Sequence, residues 1–328
     1  MDINSQRNIV LRFDMRSSPD CPDSQAQRYQ AAIEMAAWAD EVGFDVIGLS
    51  EHHATEDGFL SAPLQLAGMM AAVTQRIRIS VSALLVPLHD PLRLAEDIAV
   101  LDLASGGRFS ATCGLGYREE EYLIAGVDWK TRGKIFDSKL DLMCALLSGN
   151  IALSNGKDTR LAPCPESPLQ ALILIGGNSP AAARRAARLG LMFSPAIDDP
   201  KLDKIYRDEC ARLSHWGMTI FPREPATTFI AEDTEAAWDQ IGPYLLYDAT
   251  AYGAWRHANR RAYAESFAAD LQELKAEGKY RILTPQQAVE AIKSTGSLHL
   301  APLCGGVPIK WGWRSLRLFE EQVKPHLQ

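Results

Sequence analysis

Cysteine is scarce and unpatterned: Cys21, Cys113, Cys144, Cys164, Cys210 and Cys304 are scattered over 328 residues, with no Cys-x-x-Cys pair. In a chain this long, that spacing argues against a disulfide framework and for free thiols in a reducing compartment. Nowhere do about eighteen apolar residues run together, so a membrane-spanning helix is not expected. The opening stretch Met1-Asp2-Ile3-Asn4-Ser5-Gln6-Arg7-Asn8 lacks the basic and apolar regions of a signal peptide. These absences predict a cytoplasmic protein. Basic runs are also missing, and 34 basic against 41 acidic residues leave a formal charge of −7. A nucleic-acid partner is therefore not expected. The sequence has no Gly-x-Ser-x-Gly elbow, no nicotinamide fingerprint and no internal repeat.

What the chain does have is alternation. Short apolar runs read as strands at Val10–Phe13, Phe44–Leu49, Ile77–Val86, Arg108–Cys113, Ala171–Ile175, Leu191–Ser194, Ala226–Ile230 and Ser297–Leu300. Helical spacing fills the intervals. Ala32, Ile33, Met35, Ala36 and Ala39 recur through Gln25–Val42, which Gly43 is placed to end. Pro63 opens a helix to about Thr74, and Asp90-Pro91 caps another to about Ala104. Further helices are expected over Thr131–Leu147, after Pro180, and over Trp311–Val323. Eight strands alternating with helices predict an α/β fold, a (β/α)8 TIM barrel with insertions, as a single domain over 1–328. Residues 148–168, with Pro163, Pro165 and Pro168, read as a loop or short hairpin. Residues 243–282 read as a helical insertion near the barrel mouth, with Arg256, Arg260 and Arg261 near Tyr252, Trp255 and Tyr263.

Barrels place their chemistry beyond the carboxyl ends of the strands. There the second strand runs into Glu51-His52-His53, flanked by Glu56 and Asp57. Histidine at such a position is a natural proton-transfer group near neutral pH. Glu51 and His53, two residues apart, could share a face and hold a metal, with His89 as a stray third ligand. No other ligand completes the set, and no metal is expected. Gly176-Gly177-Asn178-Ser179 leaves a buried strand at a helix start, which fits an anion or a plain glycine turn with a serine cap. Gly114-Leu115-Gly116-Tyr117 would let backbone pass beneath a ring system, and Arg118 could reach an anion. The triplet Glu119-Glu120-Glu121 reads as a solvated helix start.

In their shared order, these segments resemble the bacterial luciferase-like monooxygenases, which are flavin-dependent β/α barrels. The resemblance runs through Gly43-Phe44-Asp45, Glu51-His52-His53-Ala54-Thr55-Glu56, Asp90-Pro91-Leu92-Arg93, Ser105-Gly106-Gly107-Arg108-Phe109 and Gly176-Gly177-Asn178-Ser179. It covers roughly 10–195 and the end from about Leu298 to Pro325. It implies that His52 is the catalytic acid/base group. It also implies a flavin cradle of Glu51, Ala83, Leu84, Gly114, Gly176, Gly177, Asn178 and Ser179, with Ser179 at the phosphate. Ala83-Leu84 matches the position of a non-prolyl cis peptide beneath the flavin. His53 and Phe13 are the candidates for substrate contact.

One residue departs from the family pattern. Leu115 stands where the luciferase α subunit has a phosphate-contacting arginine, so Arg118 or Arg185 would have to compensate. The implied reaction uses reduced FMN and O2 to oxidise a small, largely apolar or carbonyl substrate. A separate flavin reductase would act as transient partner, and a homodimer is implied. Two alternatives stay open: hydride transfer with a deazaflavin coenzyme, and a non-catalytic flavin-binding protein.

Overall fold

The computed structural model describes residues 7–154, 156–222, 227–255 and 266–327. Nine parallel strands form one sheet. They are β1 (Asn8–Phe13), β2 (Val46–Leu49), β3 (Arg78–Leu84), β4 (Phe109–Cys113), β7 (Ile173–Gly176), β8 (Met192–Ser194), β9 (Thr227–Ile230), β10 (Tyr280–Leu283) and β11 (Ser297–Leu300). A separate antiparallel hairpin, β5 (Ala152–Ser154) and β6 (Lys157–Thr159), lies within the stretch expected to be a loop or hairpin. The sheet order is β10-β9-β11-β1-β2-β3-β4-β7-β8. The first strand is thus flanked by the last and the second: Val10 pairs with both His299 and Val46. Among the described residues no ladder joins β8 to β9. Phe193 in β8 instead bridges in parallel to Thr219, donating to Met218 O (3.1 Å) and accepting from Ile220 N (2.8 Å).

All eight expected strands are present, and helices alternate with them. These are α1 (Gln25–Val42), α2 (Pro63–Ala72), α3 (Pro91–Ser105), α4 (Glu119–Ile124), α5 (Arg132–Leu147), α6 (Leu169–Leu172), α7 (Pro180–Leu189), α8 (Pro200–Leu213), α9 (Thr234–Ala254), α10 (Leu271–Glu277), α11 (Pro285–Thr295) and α12 (Ile309–Leu318). Local chemistry sets their ends. Ser24 and Gln27 exchange a capping box at the start of α1, and Gly43 ends it in the left-handed region at φ 94°. Asp90 accepts from Arg93 N at the start of α3, just ahead of Pro91. The core is the apolar strand faces, Ile9, Leu11, Ile47, Ile79, Val81, Ala111, Ile173 and Ile175, packed beneath Ala32, Met35, Ala67, Ile98 and Ala186 of the helices.

Two expectations need correction. Ala171 and Leu172 belong to α6, because both donate back to Pro168 O, and β7 begins only at Ile173. The segment 243–282 is not one helical insertion. Its first helix begins earlier, at Thr234, and runs through Pro243 because Ala237, Trp238, Ile241, Leu245, Ala249 and Tyr252 form one buried face across the proline. Its end is a strand, β10, paired with β9 from Tyr280↔Thr227 to Leu283↔Ile230. Arg256, Arg260, Arg261 and Tyr263 lie outside the described residues. No described helix is long and apolar enough to cross a membrane.

Candidate active site

The strand ends bring His52 into a buried polar cluster. His52 follows β2 and is only 6% exposed. Its Nδ1 lies 2.9 Å from Oε1 of Glu121 on α4, and its Nε2 lies 2.9 Å from the Tyr117 hydroxyl in the β4–α4 loop. Glu121 Oε1 already accepts from His53 N (2.9 Å) and Arg118 Nη1 (3.2 Å), so it faces His52 as an acceptor. The imidazole hydrogen therefore sits on Nδ1, leaving Nε2 to accept from Tyr117 Oη. Burial lowers the His52 pKa below its ordinary value, with Arg118 and Arg16 adding to the effect against the pull of Glu121. A neutral imidazole with an unprotonated Nε2 is the arrangement of a general base.

Glu121 corrects the reading of the glutamate triplet. Glu119 and Glu120 are exposed, but Glu121 is 1% exposed beneath His52. The available signal was Arg118 three residues earlier, which places its guanidinium on the same helix-start face, and the buried Tyr122 next door.

Glu51 braces the neighbouring loop. Its Oε1 accepts from His53 Nε2 (2.8 Å) and His89 Nε2 (2.6 Å), and its Oε2 accepts from Leu85 N (2.6 Å). Burial alone would raise the Glu51 pKa, but the two histidines and the Leu85 amide hold it at about 2. His89 is thus no stray. The ligand atoms of Glu51, His53 and His89 lie within 4.8 Å of one another, which is a possible metal geometry. The hydrogen bonds already account for it.

The expected cradle lies on the other flank of His52 in strand order. Gly114 N donates to Leu84 O (2.8 Å), and a Cβ at Gly114 would stand 2.7 Å from Ala83 Cβ. At Gly176 a Cβ would meet Thr112 Cγ2 at 2.9 Å. Glycine is what lets β3, β4 and β7 end so close together. The non-prolyl cis bond is Ser82–Ala83, one bond before the expected Ala83-Leu84, and the β3–β4 register skips Ala83. Leu84 itself is buried in the core, as is Phe13 at the end of β1. Gly177 (φ 126°) leads to Ser179, which caps α7 by accepting from Ala182 N (3.3 Å). Asn178 Oδ1 accepts from Ala196 N (2.8 Å), tying this loop to the end of β8. The ten-residue α7 turns its amino end to the mouth, a fit for a phosphate. Neither candidate arginine supplies the missing cation there: Arg185 holds Asp137 (2.6 Å), and Arg118 holds His53 O (2.8 Å).

Tyr252 and Trp255, which the sequence places near the mouth, form with Phe59 an aromatic roof over His52 that residue order alone did not reveal. The Trp255 ring at the end of α9 lies 4.7 Å from the His52 ring, 5.9 Å from Phe59 and 5.5 Å from Tyr252. Arg16 and Arg118 both stand over it, with Cζ at 4.3 and 4.4 Å from its centroid. Arg16 is fully buried and pairs with Asp57 (3.2 Å) and Asp248 (3.3 Å). Burial opposes its charge, but Asp248, Tyr252, Asp57 and Asp14 outweigh it and raise its pKa. Burial and Asp248 push Asp14 up to about 6.

A model of the family described as luciferase-like monooxygenase matches residues 13–297 of this chain. The chain belongs to that family. It is 26% identical over 132 residues to the alkanal monooxygenase alpha chain of the Kryptophanaron alfredi symbiont, covering 40% of this chain and 37% of that one. The chain spans 40% or less of the first two curated relatives it matches. Monooxygenase RslO1 from Streptomyces bottropensis aligns over 98% of this chain and 100% of its own, with TM-score 0.75 and 24% identity. The oxygenating constituent of 3,6-diketocamphane monooxygenase from Pseudomonas putida, solved in complex with FMN, aligns over 98% of each chain at TM-score 0.70 and 19% identity. At those identities the likeness to the two structures is one of fold. Against the luciferase-like family, the barrel expectation holds.

Proposed function

We propose that this chain is a flavin-dependent monooxygenase that uses reduced FMN and O2 on a small, largely apolar or carbonyl substrate. The observation that carries the reading is His52: buried beyond β2, its hydrogen fixed on Nδ1 by Glu121, its Nε2 turned toward Tyr117. In this reading bound reduced flavin supplies the electrons that activate oxygen. The protein supplies the rest. Gly114, Gly176 and Gly177 with Ala83 would hold the ring side, with Leu84 and Glu51 supporting them from behind; Asn178, Ser179 and the amino end of α7 would hold the phosphate. His52 Nε2 takes or returns the proton, while the buried rings of Phe59 and Tyr252 keep water from the mouth. His53 lines the substrate side, and Phe13 supports it from the core.

Residues 1–328 form one flavin-binding barrel domain in this proposal, acting in the cytoplasm with a separate reductase as transient electron donor. A homodimer is also proposed: Met69 and Val73 from α2 and its end, and Val100 and Leu103 from α3, leave apolar side chains exposed on two adjoining helices.

The test is anaerobic titration with reduced FMN followed by oxygen and a panel of ketones and aldehydes. FMN binding with oxygen-dependent product supports the reading. Binding of a deazaflavin in preference to FMN, with turnover that consumes no oxygen, replaces it with hydride transfer. Flavin binding that His52→Ala leaves without any turnover to lose makes the chain a flavin-binding protein only.

A further inference from the structure

We propose that the place held by the Trp255 indole is the substrate's seat, and that it takes a planar aromatic ring system bearing a carbonyl oxygen. This rests on the flavin reading above and narrows its substrate.

His52 is enclosed by protein. Tyr117 holds Nε2, and the rings of Phe59, Tyr117 and Trp255 lie 4.8, 5.1 and 4.7 Å from its own. A substrate reaches this imidazole only if one of those rings yields. Phe59 is 3% exposed, and its amide is tied to Thr55 Oγ1 and Asp57 Oδ1. The Tyr117 hydroxyl is bonded to His52. Trp255 is half-buried and ends α9, so its ring moves without unpacking a strand.

What surrounds the indole defines what can replace it. Two guanidinium groups and three rings bound a flat space, which favours a planar π system over an aliphatic chain. Arg16 Nη2 and Arg118 Nε are buried donors without a hydrogen-bond partner among the described residues. Buried unpaired donors favour a ligand that brings an acceptor. Charge argues for a neutral one: Arg12, Arg16 and Arg118 are already faced by Asp14, Asp57, Asp248 and Glu121. A ketone oxygen on an aromatic frame meets all three conditions. The cradle of Gly114 and Gly176 lies at the ends of β4 and β7, whereas Arg16 and Trp255 follow β1 and α9, so the two seats adjoin across the β4–α4 loop that carries both Gly114 and Arg118.

The test reads binding to the flavin-free protein by calorimetry, with 2-acetonaphthone, 2-ethylnaphthalene and 2-decanone as probes. We expect 2-acetonaphthone to bind at least about tenfold tighter than either of the others, one being flat without an acceptor and the other an acceptor without a ring. Trp255→Ala, which vacates the seat, should tighten 2-acetonaphthone by about tenfold. Arg118→Met should weaken 2-acetonaphthone more than 2-ethylnaphthalene and so remove the preference for the ketone over the hydrocarbon, the smaller loss for the hydrocarbon being that of one cation–π contact. Equal binding of the three probes, or weaker ketone binding in Trp255→Ala, overturns the inference. Competition between FMN and 2-acetonaphthone also overturns it, by giving the seat to the cofactor, and leaves the flavin reading standing. Failure of the wild-type chain to bind FMN at all sinks the flavin reading instead.

Discussion

Glu121 Oε1 stands 2.9 Å from Nδ1 of His52 across 69 residues of sequence, and this contact decides which imidazole nitrogen is free to accept a proton. If Nε2 moves the proton, His52→Ala should lower kcat by about 10²–10⁴-fold, the usual worth of a positioned acid/base group. FMN affinity should not change. Glu121→Gln keeps an acceptor for Nδ1–H but removes the charge, and the expected loss in kcat is smaller, about tenfold. Stopped-flow rates beside flavin titrations check both. A His52→Ala enzyme with unchanged kcat would remove His52 from the mechanism.

The pH dependence follows from the same contact. Burial, then Arg118 and Arg16, lower the His52 pKa from its ordinary 6.5, so the folded protein keeps the imidazole neutral through the neutral range. The acid limb of kcat/KM should therefore lie below pH 6.5 and move lower still in Glu121→Gln. Stability has the matching sign. The unfolded chain takes up this proton below pH 6.5 while the folded chain resists it, so folding stability falls as pH drops through that window. A limb at or above pH 7 would assign it to another group.

Glu51 behaves oppositely to what burial alone dictates. Its pKa is held at about 2 against an ordinary 4.5 by His53, His89 and the Leu85 amide. A depressed carboxylate stabilises the fold fully above pH 4.5 and loses that contribution as pH falls toward 2. The shift corresponds to about 3 kcal/mol. Glu51→Gln should lower Tm by about 5 °C at pH 7. Calorimetry should find the gap between variant and wild type narrowing below pH 4.5.

Much of this was readable from residue order, for physical reasons. Short apolar runs bounded by turn residues, such as Ile173-Leu174-Ile175, read as buried strands, Gly43 and Pro91 mark helix ends through backbone conformation, and Ser179 does so through a side-chain cap. His52 was legible because a strand end is a place as well as a residue type. Glu121 was not, since three consecutive glutamates have the charge of a solvated face and only the helix rotation turns one inward. Trp255 falls near the mouth by residue order, but its contact with His52 was not legible, for a similar reason. Its position depends on α9 continuing past Pro243, which tertiary burial enforces against local preference. The spent state of Arg185 is a matter of a partner, Asp137, 48 residues away, that no spacing rule connects, whereas Arg118 and Glu121 stand three residues apart.

Ser179 offers a test of the phosphate side that is independent of the chemistry. Its hydroxyl oxygen caps α7 by accepting from Ala182 N, which leaves its hydrogen for a ligand oxygen. Ser179→Ala should cost about 1 kcal/mol of stability through the lost cap. It should also weaken FMN by roughly tenfold, the worth of one hydrogen bond to a charged group. Riboflavin, which lacks the phosphate, should bind variant and wild type alike. Equal loss for both flavins would mean that the serine acts on the ring or the fold and not on the phosphate.

The apolar face on α2 and α3 carries the last prediction. Val100 is 52% exposed on α3, where Leu103 is exposed too, and Met69 and Val73 are exposed on the adjoining α2 and its end. An exposed group of four apolar side chains on adjoining helices favours a covering partner, and a two-fold copy presents the same face in return. The chain should sediment at about twice its 36.1 kDa mass. Val100→Asp puts a charge on that exposed face, where a two-fold partner would bring a second copy of it close. The variant should sediment as a monomer with unchanged circular dichroism, because Val100 points away from its own core. A wild-type chain that sediments at the single-chain mass at micromolar concentration would overturn the dimer, and a dimer that persists in Val100→Asp would move the interface elsewhere.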